Sequence, residues 1–184
     1  MAWGFSLSHY LRTGGKGICA VSETIRKEND RARQVRCQRR WTYGAGEVAK
    51  VAGPREIREE LGLTVAFEDL VPVGRRVFMY SFDPGVTEYE FQDVYFLVRN
   101  VRPEGLILQK DEVDAVLEME LEQGIGLFSS QTSIAECPLY GHKAQVKRVR
   151  VSADDFVPCL DNYYLKLLQL AKRYFSGERG LLLS

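Results

Sequence analysis

Arg55-Glu56-Ile57-Arg58-Glu59-Glu60-Leu61-Gly62-Leu63 is the stretch on which the reading of this chain turns. At about 100° per residue, a helix through it puts Pro54, Ile57 and Leu61 on one side and Glu56, Glu59 and Glu60 on the other. Pro54 is suited to a first helical position and Gly62 to the left-handed residue that closes a helix, so the spacing predicts a short helix over 54–61. Two carboxylates about 6 Å apart at an effective dielectric near 20 repel by roughly 3 kcal/mol, and Arg55 and Arg58 relieve only part of that. An oxygen-preferring divalent ion, Mg²⁺ or Mn²⁺, held by carboxylates on one side and substrate phosphates on the other, would relieve the rest. A solvated face laced with i, i+4 pairs such as Arg55–Glu59 is the alternative.

The order of residues bears on that choice. R-E-I-R-E-E-L-G-L resembles, at every specified position, the second half of the Nudix box, REUxEExGU with U aliphatic. A chance match in one chain of this length has odds well below about one in ten thousand. The resemblance implies a Nudix-type α/β/α sandwich of the α+β class with a mixed sheet. It also implies metal-assisted hydrolysis of a diphosphate linkage in a small molecule, a nucleoside diphosphate joined to another moiety or a related organic diphosphate. Carried over by position, Glu56, Glu59 and Glu60 resemble the metal ligands and Arg55 the arginine that orients them. The first half of the box departs from the pattern. Glu47 stands eight residues before Arg55, but Trp41 takes the place of the expected glycine. Setting Ala45-Gly46-Glu47-Val48 against the family's strand-to-loop turn instead leaves a short loop, a helix lacking its first turn or two, and weak turnover, while placing Gly46 near the substrate.

Tyr89–Leu97 followed by Leu108-Gln109-Lys110-Asp111-Glu112-Val113 resembles the subgroup related to isopentenyl diphosphate isomerase. That resemblance puts Glu112 across from the box helix as an accessory carboxylate. The isomerase's active-site cysteine has no counterpart in Trp41–Gly46, which favours hydrolysis over isomerisation. Gln38-Arg39-Arg40 resembles a strand end near the substrate phosphates, making Arg39 and Arg40 substrate-binding candidates. A Nudix-fold binding protein that has lost catalysis is the rival reading.

Outward from the box, the chain reads as one domain. Its 184 residues, 45% apolar and 27% charged, suit a single folded domain and exclude disordered, collagen-like and coiled-coil classes. Twenty-five Lys and Arg balance twenty-five Asp and Glu. No overall basic field therefore draws nucleic acid, and the run from Arg26 to Arg40 is interrupted by acids and lacks interleaved aromatics. Residues 1–16 read as a loosely attached arm, 17–176 as the domain and 177–184 as a tail. Gly17–Ser22 and Arg33–Gln38 read as a hairpin with a charged tip, and segments around Val73–Met79, Tyr89–Val98 and Glu112–Met119 as strands. From about Pro158, apolar residues recur at helical steps. The scattered cysteines, Cys19, Cys37, Cys137 and Cys159, read as buried thiols rather than zinc ligands. His142 reads as a surface loop residue. With no apolar run long enough to span a bilayer and no secretory signal, a cytoplasmic location without membrane attachment is expected. Ser6, Ser8 and Arg12 in an acid-free start also suit an organellar transit peptide, and a homodimer is compatible with the chain.

Overall fold

A computed structural model describes residues 2–13, 16–23, 41–42, 49–83, 86–111, 113–156, 159 and 161–183, with the backbone alone for 2–42, 78, 80–83, 86–90 and 144. Strands β1 (Ala2–Thr13), β2 (Lys16–Glu23) and β3 (Trp41–Thr42) precede helix α1 (Ala49–Leu61). Then come β4 (Leu70–Asp83), β5 (Val86–Arg99), β6 (Ala115–Glu120), α2 (Leu121–Phe128), β7 (Ala135–Gly141), β8 (Val146–Val151) and α3 (Tyr163–Phe175). One mixed sheet runs β4-β5-β1-β2-β6-β7-β8, with β3 paired to β1. The β1–β5 pair is parallel, and its neighbours along the sheet are antiparallel.

Side-chain alternation explains how the sheet takes a helix on each face. Val94 and Phe96 of β5, with Leu117 and Met119 of β6, pack beneath Leu167 and Leu168 of α3. On the other face, Leu97 and Tyr95 of β5 meet Ile57 of α1, and Val116 of β6 meets Leu61. Burying Ile57 completely contributes roughly 1.5–3 kcal/mol, so α1 is held chiefly by its apolar line. The α2–α3 contact is close because Gly124 has no Cβ, which would lie 2.9 Å from Leu168 Cδ1 and 3.0 Å from Met119 Sδ. Among the described residues no helix is long and apolar enough to cross a membrane.

Several expectations need correction. The first residues do not hang loosely: Ala2–Thr13 is a central strand between β5 and β2. The signal is period two, with Trp3, Phe5, Leu7 and Leu11 alternating with Gly4, Ser6 and Ser8. Residue 181 of the expected tail is buried, and the Leu183 N–H donates to the Val73 carbonyl at 2.6 Å on edge strand β4. Helix α1 begins at Ala49, so it lacks no first turn and Pro54 lies inside it. Ala52 and Gly53 are buried, and the helix lies against β1 and β3. This packing offsets the backbone bond to the Lys50 carbonyl that proline cannot make. Strand β6 starts at Ala115 rather than Glu112, and α3 at Tyr163, after Asn162 in the left-handed region. Arg33–Gln38 lies outside the described residues, while β2 pairs with β1 and β6.

Gly62 closes α1 at φ 70°, its N–H bonded to the Arg58 carbonyl at 3.0 Å. A Cβ there would lie 2.6 Å from Ile107 Cβ and 3.3 Å from Ile107 Cα. Gly62→Ala is therefore expected to destabilise the fold by about 2 kcal/mol or more, from the left-handed backbone and the displaced loop together. Urea unfolding of the two proteins checks it. An unchanged midpoint would show that neither constraint operates.

Candidate functional site

Helix α1 carries two adjoining lines of side chains. Ile57 and Leu61 form the apolar line, and Glu56 and Glu60, one turn apart, form the next. The helix therefore turns acids inward as well as aliphatics: Glu60 is only 3% exposed. Glu59 lies further out, its side chain 42% exposed against 17% for Glu56. The three glutamates thus do not share one solvated face. Arg55 ties two of them together, with Nη2 2.9 Å from Glu56 Oε1 and Nη1 2.9 Å from Glu59 Oε2. The i, i+4 pair expected of a charge-laced surface is present, and the same guanidinium orients the acid nearer the protein interior.

The end of α1 is anchored by the loop that follows β5. Backbone N–H groups of Ile107 and Gln109 donate to the carbonyls of Leu61 and Glu60, each at 3.0 Å, satisfying acceptors that a helix C-terminus leaves open. The Val113 N–H donates in turn to the Gln109 carbonyl at 2.8 Å, and Val113 is fully buried in the cluster around Leu61. The segment that holds Glu112 is thereby docked on the box helix. Glu112 itself lies outside the described residues, as do Arg39, Arg40, Gly46 and Glu47.

The strand register adds polar groups that the sequence reading did not single out. Asp93 lies on the same face of β5 as Tyr95 and Leu97, the face that meets α1, and pairs with Arg75 of β4 at 2.7 Å. Burial and the Asp93 charge hold the Tyr95 hydroxyl above the ordinary tyrosine range, although Arg75 pulls it back. On β6, Glu118 shares the face of Val116 and accepts a hydrogen bond from the Tyr140 hydroxyl. Burial and that carboxylate push Tyr140 well above its usual range, leaving it a neutral donor. Register alone places these pairs, because positions 93 and 118 are legible only once the buried faces of β5 and β6 are known.

The donor chemistry of α1 fits an oxygen-preferring cation, since Glu56, Glu59 and Glu60 offer hard carboxylate oxygens within one turn and a half. Among the described residues, no three His, Cys, Asp or Glu side chains converge closely enough to hold a metal ion unaided. Further oxygens would have to come from beyond them or from a substrate.

The opposite face holds a different polar group. Arg76, 6% exposed, stacks on the Tyr163 ring at 3.8 Å and donates to Cys159 Sγ at 3.8 and 3.9 Å. Burial raises the Cys159 thiol and Arg76 only partly offsets it. Among the described residues Cys137 is buried and Cys159 half-buried.

This helix-on-each-face arrangement over a mixed sheet is the α+β fold of Nudix proteins. It superposes on a MutT/Nudix family protein from Enterococcus faecalis with a TM-score of 0.50 over 96% of this chain and 63% of that one, at 14% identity. In sequence the chain is similar to an uncharacterized Nudix hydrolase of Listeria innocua, 34% identical over 85 residues. It is also similar to an uncharacterized Nudix hydrolase of Listeria monocytogenes, 38% identical over 80 residues. These matches take in 46% and 42% of this chain, and the chain spans 45% and 42% of the two relatives' lengths. No family profile matches the chain.

The raised Cys159 thiol keeps its thiolate scarce at mildly alkaline pH. Alkylation by iodoacetamide at pH 8, followed at the Cys159 peptide by mass spectrometry, is expected to run at least about tenfold slower than for free cysteine and to accelerate as pH rises past the ordinary thiol range. A rate equal to that of free cysteine at pH 8 would contradict the burial argument.

Proposed function

We propose that this chain is a metal-dependent hydrolase of a diphosphate linkage in a small molecule, either a nucleoside diphosphate joined to another moiety or a related organic diphosphate. The observation that carries the reading is Glu60. A carboxylate buried to this degree costs several kcal/mol in desolvation, which a partner repays only in part, so an apolar residue of similar size would often serve stability equally well. Its place one turn after Glu56, on a helix whose Arg55 already positions two acids, suits a helix whose inner edge serves a cation. The similarity to proteins named Nudix hydrolases supports the same chemistry.

In this reading Glu56, Glu59 and Glu60 would hold Mg²⁺ or Mn²⁺, and Arg55 keeps the first two carboxylates in place. When bound, such an ion polarises the phosphoanhydride and lowers the pKa of a coordinated water. Glu112, on the segment docked against the end of α1, is assigned the accessory role of proton acceptor. Arg39, Arg40 and Gly46 are assigned to the substrate phosphates. Because α1 extends back to Ala49, slow turnover is no longer expected from a missing first turn, and Glu47, eight residues before Arg55 in the sequence, is assigned as a further candidate ligand. The rival, a Nudix-fold protein that binds without hydrolysis, draws support from one observation: the Arg55 guanidinium already engages Glu56 and Glu59, and no described triad of acids converges.

A panel of nucleoside diphosphate sugars, dinucleotides and isoprenoid diphosphates, assayed with Mg²⁺ or Mn²⁺ for phosphate-bearing products, separates the two. Turnover on one class is expected, with Glu60→Gln reducing it at least about 100-fold while circular dichroism shows the fold intact. Arg55→Gln is expected to lower kcat with a stability change under about 1 kcal/mol, because the pairs it breaks are partly exposed. Measurable nucleotide binding with no turnover on any member would favour the binding protein.

A further inference from the structure

The far edge of the sheet is unusually cationic. Strand β8 reads Val146-Lys147-Arg148-Val149-Arg150-Val151, and residues 143–151 contain four cations and no acid in a chain whose net charge is zero. Lys143, in the turn before it, and Lys147, Arg148 and Arg150 are all exposed. Among the described residues the side chains of the four form no ion pair or hydrogen bond, while the β8 backbone pairs with β7. The nearest counter-charge by register is Glu136, opposite Arg150 on β7. Arg148 also acts on Tyr140, beside Glu118 and Glu104.

Among the described residues strand β8 is the last in the sheet order and pairs on one side only, with β7. An edge strand offers a row of backbone donors and acceptors, and a single lysine commonly suffices to discourage unwanted pairing. Here both faces of the edge carry charge: Lys147 lies with Val149 and Val151, and Arg148 with Arg150. Pairing with a second copy would set these cations against themselves, so self-association through β8 is disfavoured. Single-stranded nucleic acid finds phosphate partners but no exposed aromatic on β8 for base stacking. An extended peptide meets both demands at once. Its backbone completes the edge ladder, and acids at alternate positions, about 6.8 Å apart, match the spacing of Arg148 and Arg150.

We propose that β8 is a docking edge for an extended acidic segment of another protein, which adds to the sheet as a further strand with its carboxylates facing Arg148 and Arg150. This stands independently of the hydrolase reading, since β8 carries none of the residues assigned to that site.

The test uses a fluorescein-labelled peptide of about ten residues alternating glutamate and valine, titrated with the full chain and followed by anisotropy. Saturable binding is expected, together with slowed hydrogen exchange of β8 amides. The double variant Arg148→Glu/Arg150→Glu should bind at least about tenfold more weakly, and the milder Arg148→Gln about threefold, each with an unchanged circular dichroism spectrum. Methylating alternate backbone nitrogens of the peptide should weaken binding by a similar factor. No saturable binding by the wild type, equal binding by Arg148→Gln, or equal binding of the methylated peptide would overturn the proposal. Tighter binding of a single-stranded RNA than of the peptide would also overturn it and assign the edge to nucleic acid.

Discussion

The docking of α1 on one face of the sheet is the contact on which the candidate site depends. Ile57 and Leu61 are sealed against β5 and β6, while the amides of Ile107 and Gln109 close the helix's last carbonyls. These contacts fix both the rotation of the helix and its position along the axis. Once Ile57 and Leu61 face the sheet, the 100° step leaves Glu56 and Glu60 no choice but the adjoining edge, half inside the protein. Gly62 allows this, since its left-handed turn and missing side chain bring the 106–109 loop close enough to bond. The acids are therefore held by apolar packing and backbone bonds rather than by one another.

The two faces of the sheet divide the labour. Beneath α2 and α3, aliphatic and aromatic side chains form the larger core, with Arg76 stacked on Tyr163. Beneath α1 the core is split into two smaller clusters, and beside them the strands carry the Arg75–Asp93 and Glu118–Tyr140 pairs. A face that carries such polar pairs near a helix with an inward glutamate gives up apolar burial. The larger cluster on the other side supplies the compensating stability.

The box helix, its closing glycine and the strands around Val73–Met79 and Tyr89–Val98 were legible because each rests on a local pattern. So was α3, whose apolar residues recur at helical steps. The start of α1 is not legible locally, because proline and glycine signal a boundary that the burial of Ala52 and Gly53 overrides. The first strand carries a period-two pattern, interrupted at His9, and its place in the sheet is set by β5 and β2. The short elements α2, β7 and β8 carry no comparably strong local pattern.

From sequence alone came the candidate groups, an arginine and three glutamates at helical spacing, because spacing along a helix is a local property. Which glutamate is buried and which strand residues share their face came only with tertiary structure. Burial and facing are set by whatever packs against an element, and for α1 that partner is a sheet assembled from strands at both ends of the chain.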